Sequence, residues 1–238
     1  MSDFDNMNSQ NLAAEARSRD IDEGLRIYML KVYNYMSVGL LVTALAAFFG
    51  ASSGIYQTIA NTPLVWVVMF APLGVVFYLS ARLHKMSANT ARTTFFTYSG
   101  IMGFSLSYIL LVFTQESIVT TFLVTSASFG ALSLYGYTTK KDLSGMRSFL
   151  FMGLIGIILA SIVNIFMASA AMHFAISVIG VLLFAALTAY DTQAIKHMYY
   201  AGDTRETAEK KAVLGALRLY LDFVNMFLFL LQFLGNRE

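Results

Sequence analysis

Seven runs of apolar residues, each about the length of a bilayer-crossing helix, alternate with short polar stretches along this chain. About 20 mostly apolar residues are needed for a helix to cross about 30 Å of hydrocarbon. The runs are Val32–Gly50, Pro63–Ala81, Phe95–Phe113, Val119–Gly136, Phe149–Ala168, Phe174–Asp191 and Val213–Leu234. The third and fourth are joined only by Thr114–Ile118, and the fifth and sixth by a stretch as short, so these neighbours run antiparallel. No linker or second domain interrupts them. The pattern predicts an all-α integral membrane protein with seven transmembrane helices over 24–238. A polar, partly disordered arm over 1–23 precedes it and turns helical near Gly24–Lys31. That arm lacks the apolar core and small-residue cleavage site of a signal peptide, so the first span is expected to drive insertion.

Composition agrees with the pattern. Of 238 residues, 57% are hydrophobic, a further 16 are Gly, and only 13% are charged. A soluble domain of this size cannot hide so much apolar surface, and the same surplus excludes disorder as the main state. The net charge of +2 creates no field that would favour nucleic acid as a partner. With no Cys, thiolate nucleophiles, disulfides and Cys-based metal sites are excluded.

The connections carry positive charge in alternation. Arg17, Arg19, Arg26 and Lys31 precede the first run, and Ala51–Thr62 has no Lys or Arg. Arg82, Lys85 and Arg92 follow the second run, and Thr114–Ile118 again has none. Lys140, Lys141 and Arg147 come next, then none over Ser169–His173, then Lys196, Arg205, Lys210 and Lys211. By the positive-inside rule the N-terminus is cytoplasmic and the C-terminus outside. Adding or removing one span would destroy the alternation.

Twelve of the fourteen acidic residues lie in tails or connections; Asp191 and Asp222 do not. An ionised side chain inside a membrane helix costs about 2.5–3.5 kcal/mol on insertion scales, which makes both of them candidate functional residues. Asp222 lies about 13 Å into the last run at 1.5 Å per residue. Asp191 reaches that depth if the sixth helix continues towards Lys196, and Thr192–His197 contains no breaker. Two carboxylates in contact in a low dielectric do not both ionise easily, so one proton is shared and the pair responds to pH near neutrality. Deprotonated, it is half of a site for a hard cation such as Ca²⁺.

Arg218, Asp222, Asn225 and Gln232 fall within an arc of about 80° on the last helix. A polar stripe there faces protein or water rather than lipid. It either lines a pathway, or Arg218 simply neutralises Asp222 one turn away. Arg82, at the end of the second run, either snorkels to the headgroups or clamps a carboxylate. Gly50–Gly54 formally matches G-x-S-x-G, but a membrane helix precedes it where a nucleophile elbow needs a strand. P-loop, GxGxxG and HExxH patterns are absent, and neither an enzyme nor a cofactor-binding protein is expected.

The stretch AALTAYDTQAIKHMY, Ala185–Tyr199, resembles the signature of the Bax inhibitor-1 family in its bacterial branch. ALRLYLDFVNMFLFLL, Ala216–Leu231, resembles that family's closing helix, and GLRIYMLKVYNYMSVGLLVTA, Gly24–Ala44, its opening. The resemblance implies seven transmembrane helices with the last at the centre of two three-helix layers. It implies a pH-sensitive calcium leak governed by an aspartate pair, which by motif falls on Asp191 and Asp222, with Arg82 as a latch. The charged connection Gly202–Lys211 is longer than the family pattern leads one to expect. The resulting expectation is a passive, proton-gated Ca²⁺ pathway in a bacterial inner membrane. The alternative is a non-transporting regulator that binds a membrane protease or another membrane protein. An intramembrane aspartyl hydrolase ranks third, because the GxGD pattern is missing at both aspartates.

Overall fold

A computed structural model describes the backbone over 2–82 and 85–237, with side chains from Ile21 onward apart from Ser80. The helices are α1 Ser2–Ser52, α2 Ile55–Ala60, α3 Leu64–Arg82, α4 Ala88–Ser105, α5 Ile109–Val112, α6 Gln115–Thr138, α7 Arg147–Met167, α8 Ala170–Met198 and α9 Arg205–Leu234. Most of the expected polar arm over 1–23 falls on residues whose side chains lie outside those described.

Among the described residues, six segments are long and apolar enough to cross a membrane: Ile21–Ser52, Ala88–Val112, Gln115–Thr138, Ser144–Met167, Ala170–Met198 and Arg205–Leu234. Within α3 the apolar stretch is shorter, Leu64–Leu79. Local chemistry sets where the helices begin. Ser87, Thr114, Ser169 and Thr204 each accept a hydrogen bond from the backbone N–H three residues on, which caps α4, α6, α8 and α9. Each such cap is worth about 1 kcal/mol. Pro72 inside α3 has no N–H to offer the Val68 carbonyl, and the Ser105 hydroxyl of α4 donates to that carbonyl instead, at 2.5 Å.

The last helix begins earlier than its apolar run suggests. Most of the charged stretch Gly202–Lys211 is the first turns of α9 rather than a long connection. Lys210 pairs with Glu206 one turn away at 3.0 Å, and Lys211 with Asp203 at 2.5 Å, so the charges support the helix.

α9 is the most enclosed span: 61% of its apolar window is buried, against 11–39% for the others. It packs against α8, α1, α6 and α4. Around Tyr220 its core is aromatic, with Phe95 and Tyr98 edge-on at 5.7 and 5.8 Å between ring centres. The Tyr220 hydroxyl is satisfied as well. The single Thr43 proton is directed at the backbone carbonyls of Ser99 (2.9 Å) and Gly39 (3.0 Å), so Tyr220 donates to Thr43 Oγ1 (2.6 Å). Glycine allows the closest helix approaches. A Cβ at Gly103 would overlap the Thr43 carbonyl of α1, and one at Gly136 the Ala189 carbonyl of α8. At the chain's end, Thr114 N–H donates to the Asn236 carbonyl (3.1 Å) and Asn236 N–H to Ser117 Oγ (2.9 Å). The C-terminus therefore lies at the same end of the bundle as the α5–α6 turn.

Candidate functional site

Asp191 sits on a stretch of α8 that is fastened to its neighbours residue after residue. Thr192 Oγ1 is 2.9 Å from Ser133 Oγ of α6, which is 2.5 Å from the Tyr33 hydroxyl of α1. Gln193 Oε1 accepts from Leu143 N–H (2.8 Å) and its Nε2 donates to the Lys141 carbonyl (2.9 Å). Lys196 Nζ donates to the Tyr137 carbonyl at the end of α6 (2.9 Å) and stands 5.1 Å from the centre of that ring. Thr, Gln and Lys of the AYDTQAIK stretch therefore hold α8 to α6 and its exit loop. Asp191 and Ile195, one turn apart, face α9, Asp191 towards Arg218 and Ile195 towards Gly215.

The exit loop has its own brace. Ser144 donates from both N–H (2.8 Å) and Oγ (2.9 Å) to Asp142, and these bonds hold the Asp142 carboxyl below the ordinary carboxylate range.

α9 presents Asp222 to Asp191. The two carboxyl groups are adjacent, within reach of a side-chain hydrogen bond. Asp222 is only 4% exposed, and its Oδ2 has no hydrogen-bond partner among the described residues. An orphaned buried oxygen of this kind is uncommon in folded proteins. Arg218, one turn towards the start of α9, places Nη1 3.7 Å from Asp191 Oδ1. The depth reading of the two aspartates holds geometrically because α8 does continue through to Met198.

The other predicted site residues separate. Arg82 is exposed at the last turn of α3 and forms no ion pair among the described residues. The cation beside Asp191 is Arg218, and the physical reason is placement, since α3 packs chiefly on α4 while Arg218 shares α9 with Asp222. The expected stripe is also divided. Asn225 donates to the Leu221 carbonyl of its own helix (2.8 Å) and lines a cavity of about 340 Å³ with Met69, Pro72, Tyr98 and Ser105. Gln232 Oε1 stands 3.4 Å from Ser177 Oγ of α8, whose single proton has a nearer acceptor in the His173 carbonyl (2.9 Å).

Reading the sequence did not single out Tyr28, Thr192, Gln193 or Glu209. Glu209 joins α9 to α1 through Lys31 (2.6 Å) and the Tyr35 hydroxyl. It was hidden among the charges assigned to a connection, and no spacing rule would have paired it with residues so far away in the chain.

Among the described residues, no group of three or more His, Cys, Asp or Glu is arranged to hold a metal ion. Ca²⁺ takes 6–8 oxygen ligands, and the two carboxyl groups of the pair supply at most four.

Comparison with known proteins places these features in a lineage. The family described as "Inhibitor of apoptosis-promoting Bax1" matches residues 25–238. The inner membrane protein YbhL of Escherichia coli is 49% identical over 219 residues, covering 90% of this chain and 94% of its own. The protein RP147 of Rickettsia prowazekii is 47% identical over 231 residues, 97% of this chain and 98% of its own. A Streptococcus pyogenes membrane protein is 34% identical over 221 residues, 91% of this chain and 96% of its own. Helical architecture, membrane-length spans and a match along nearly the whole described chain lead to one conclusion: this chain belongs to the Bax inhibitor-1 family of membrane proteins.

Proposed function

We propose that this protein is a passive, proton-gated cation leak of a bacterial inner membrane, with Ca²⁺ as its cargo. In this reading α3 crosses the bilayer too, which makes seven spans around α9, with the N-terminus cytoplasmic and the C-terminus outside. The observation that carries the reading is the carboxyl pair on α8 and α9, one of whose oxygens is buried without a partner. A lone unpaired charge there would be costly. A proton shared with Asp191 removes the cost, and so does a passing cation, which makes protons and cations competitors for one site. As pH falls the pair takes up its proton, the electrostatic hold on neighbouring cationic side chains weakens, and the pathway opens. At still lower pH the neutral pair no longer attracts Ca²⁺, so flux reaches a ceiling. Ca²⁺ flux into liposomes holding purified protein, measured from pH 8 to pH 5, tests this; silence at every pH refutes it.

A second observation favours the regulator reading. A cavity of about 810 Å³ opens between α1 and α6, with Arg26, Tyr33, Ser37, Gly130 and Tyr137 in its wall. A membrane helix of another protein could seat there. If a phenotype of deleting this protein survives Asp191→Asn and Asp222→Asn, the regulator reading gains and the leak reading loses.

A further inference from the structure

We infer that the seam between α1 and α6 is a seat for an anionic phospholipid, with the acyl chains along the seam and the headgroup at Arg26. The inference stands apart from the leak reading, and it holds whether the protein conducts or regulates.

α1 and α6 both pack on α9 but hardly on each other. Among the described residues, the side-chain hydrogen bond that joins them directly is Tyr33 to Ser133. The space between them is the cavity of about 810 Å³ with Arg26 and Tyr137 in its wall, and a second of about 420 Å³ that reaches Ile109 and Ile118. Both are walled by Leu40, Ala44, Phe122 and Phe223, so they form one furrow with α9 as its floor. Along α1 the furrow runs from Arg26 to Phe48, about 33 Å at 1.5 Å per residue. That is about the thickness of the hydrocarbon core.

A furrow of this kind does not stay empty in a bilayer. Its apolar walls exclude water, and an unfilled gap forfeits the dispersion contacts of the atoms around it. Its polar groups are gathered in one part. Arg26, Tyr33, Ser37, Ser126, Ser133 and Tyr137 line the larger cavity, whereas Thr43 is the one polar residue lining the smaller.

Positive charge collects at the same end. Arg26 is exposed, and its guanidinium gives two N–H groups to Glu23 on its own helix (3.1 and 3.2 Å), which leaves three of its five for a headgroup. Lys140 and Lys141 are exposed just beyond Tyr137, where α6 ends. The carboxylate next to them is occupied, since both Asp142 oxygens accept from Ser144. One cationic end and a long apolar remainder match an anionic headgroup with its chains. In the orientation proposed above, this is a lipid of the cytoplasmic leaflet.

A lipid fits the furrow better than the partner helix of the regulator reading. A helix about 10 Å across and 30 Å long fills on the order of 2,400 Å³, more than the two cavities hold together. An acyl chain is narrower. A transmembrane helix also has a polar region at each end, whereas the furrow has one.

The test uses the full chain, purified and delipidated in detergent, with native mass spectrometry of bound lipid. The probes are phosphatidylglycerol and phosphatidylcholine with the same acyl chains. The wild type should hold phosphatidylglycerol about tenfold more tightly than phosphatidylcholine. Arg26→Gln should weaken phosphatidylglycerol about fivefold, the worth of one cation at a membrane surface, and leave phosphatidylcholine as it was. Lys210→Gln removes the same charge at a residue that does not line the furrow, and should change neither. Gly130→Leu fills the furrow where nothing lies within 4 Å of an added carbon, and should weaken both lipids about tenfold. Ser126→Leu serves if circular dichroism shows Gly130→Leu unfolded. Equal retention of the two lipids by the wild type would overturn the inference, and so would wild-type retention in both Arg26→Gln and the filled variant. Equal losses in Arg26→Gln and Lys210→Gln would overturn it as well, because the charge effect would then be diffuse. A wild type that holds neither lipid, but elutes as a dimer or with a membrane protein that Gly130→Leu releases, would give the seat to a helix instead.

Discussion

Asp191 and Asp222 are neighbours with unequal surroundings: Asp191 has Arg218 at 3.7 Å, whereas Asp222 Oδ2 is buried with no partner among the described residues. The two helices that carry them differ as well. Around Asp191, α8 is pinned through Thr192, Gln193 and Lys196. Near Asp222, α9 carries a partly exposed arginine on a single long contact. One carboxyl is thus a fixed point, and the adjustable group is on α9.

Gln193 is the first place to disturb the fixed side. Its amide accepts from Leu143 N–H and donates to the Lys141 carbonyl, and a carboxylate could not do both. Gln193→Ala leaves the buried Leu143 N–H unpaired, at a cost of about 1–3 kcal/mol. Thermal unfolding in detergent should show that loss. The pH response should also broaden as Asp191 loses its fixed position.

The glycines give a matched pair of substitutions. At Gly136 an added methyl meets the Ala189 carbonyl of α8, two residues before Asp191, and overpacking of that kind costs about 1–3 kcal/mol or more. At Gly130, six residues earlier on the same helix, nothing lies within 4 Å of the new carbon. Gly136→Ala should lower the melting temperature sharply, and Gly130→Ala should leave it unchanged or raise it, since alanine favours helix by up to about 1 kcal/mol. Equal effects would mean that α6 and α8 do not meet as closely as described.

Asp142 supplies a control for pH. Its carboxyl is held below the ordinary range by bonds from Ser144, so it contributes stability at pH above that range and loses it only as pH falls through its lowered value. From pH 8 to pH 5 it stays ionised and the exit loop does not titrate. Asp142→Asn should therefore leave the midpoint of the flux–pH curve where it was. A shifted midpoint would implicate the loop in sensing.

Much of this was legible from the chain, because hydrophobic run length and the placement of charges are one-dimensional signals. The two aspartates stood out against apolar neighbours, and their adjacency followed once α8 was allowed to run past Asp191. The identity of the partnering arginine was not legible. Arg82 and Arg218 both lie where a cation could reach a carboxylate, and only packing separates them: α3 sits against α4, while Arg218 rides on α9 itself. Likewise Asn225 and Gln232 share a helical face with Asp222, yet one lines a cavity and the other sits beside Ser177 of α8, because different neighbours cover different turns of α9. The start of α9 was missed because charged residues read as a connection until their pairing along the helix is visible.

Sidedness gives a further prediction. The C-terminus shares an end of the bundle with the α5–α6 turn, which has no Lys or Arg. A reporter fused after Glu238 that fluoresces only in the cytoplasm should stay dark, and one that reports only outside should be active. The opposite pattern would reverse the proposed orientation of the whole bundle.

The central claim is that the Asp191–Asp222 pair converts proton uptake into cation passage. Ca²⁺ flux through purified protein in liposomes, compared at pH 8 and pH 6 for the wild type, Asp191→Asn and Asp222→Asn, addresses it most directly. The account predicts a wild type that is quiet at pH 8 and conducts at pH 6. It predicts an Asp191→Asn variant whose flux is the same at both values, because the amide imitates a permanently protonated acid, and an Asp222→Asn variant with most of its pH dependence gone. Flux that rises equally between pH 8 and pH 6 in all three proteins would contradict it.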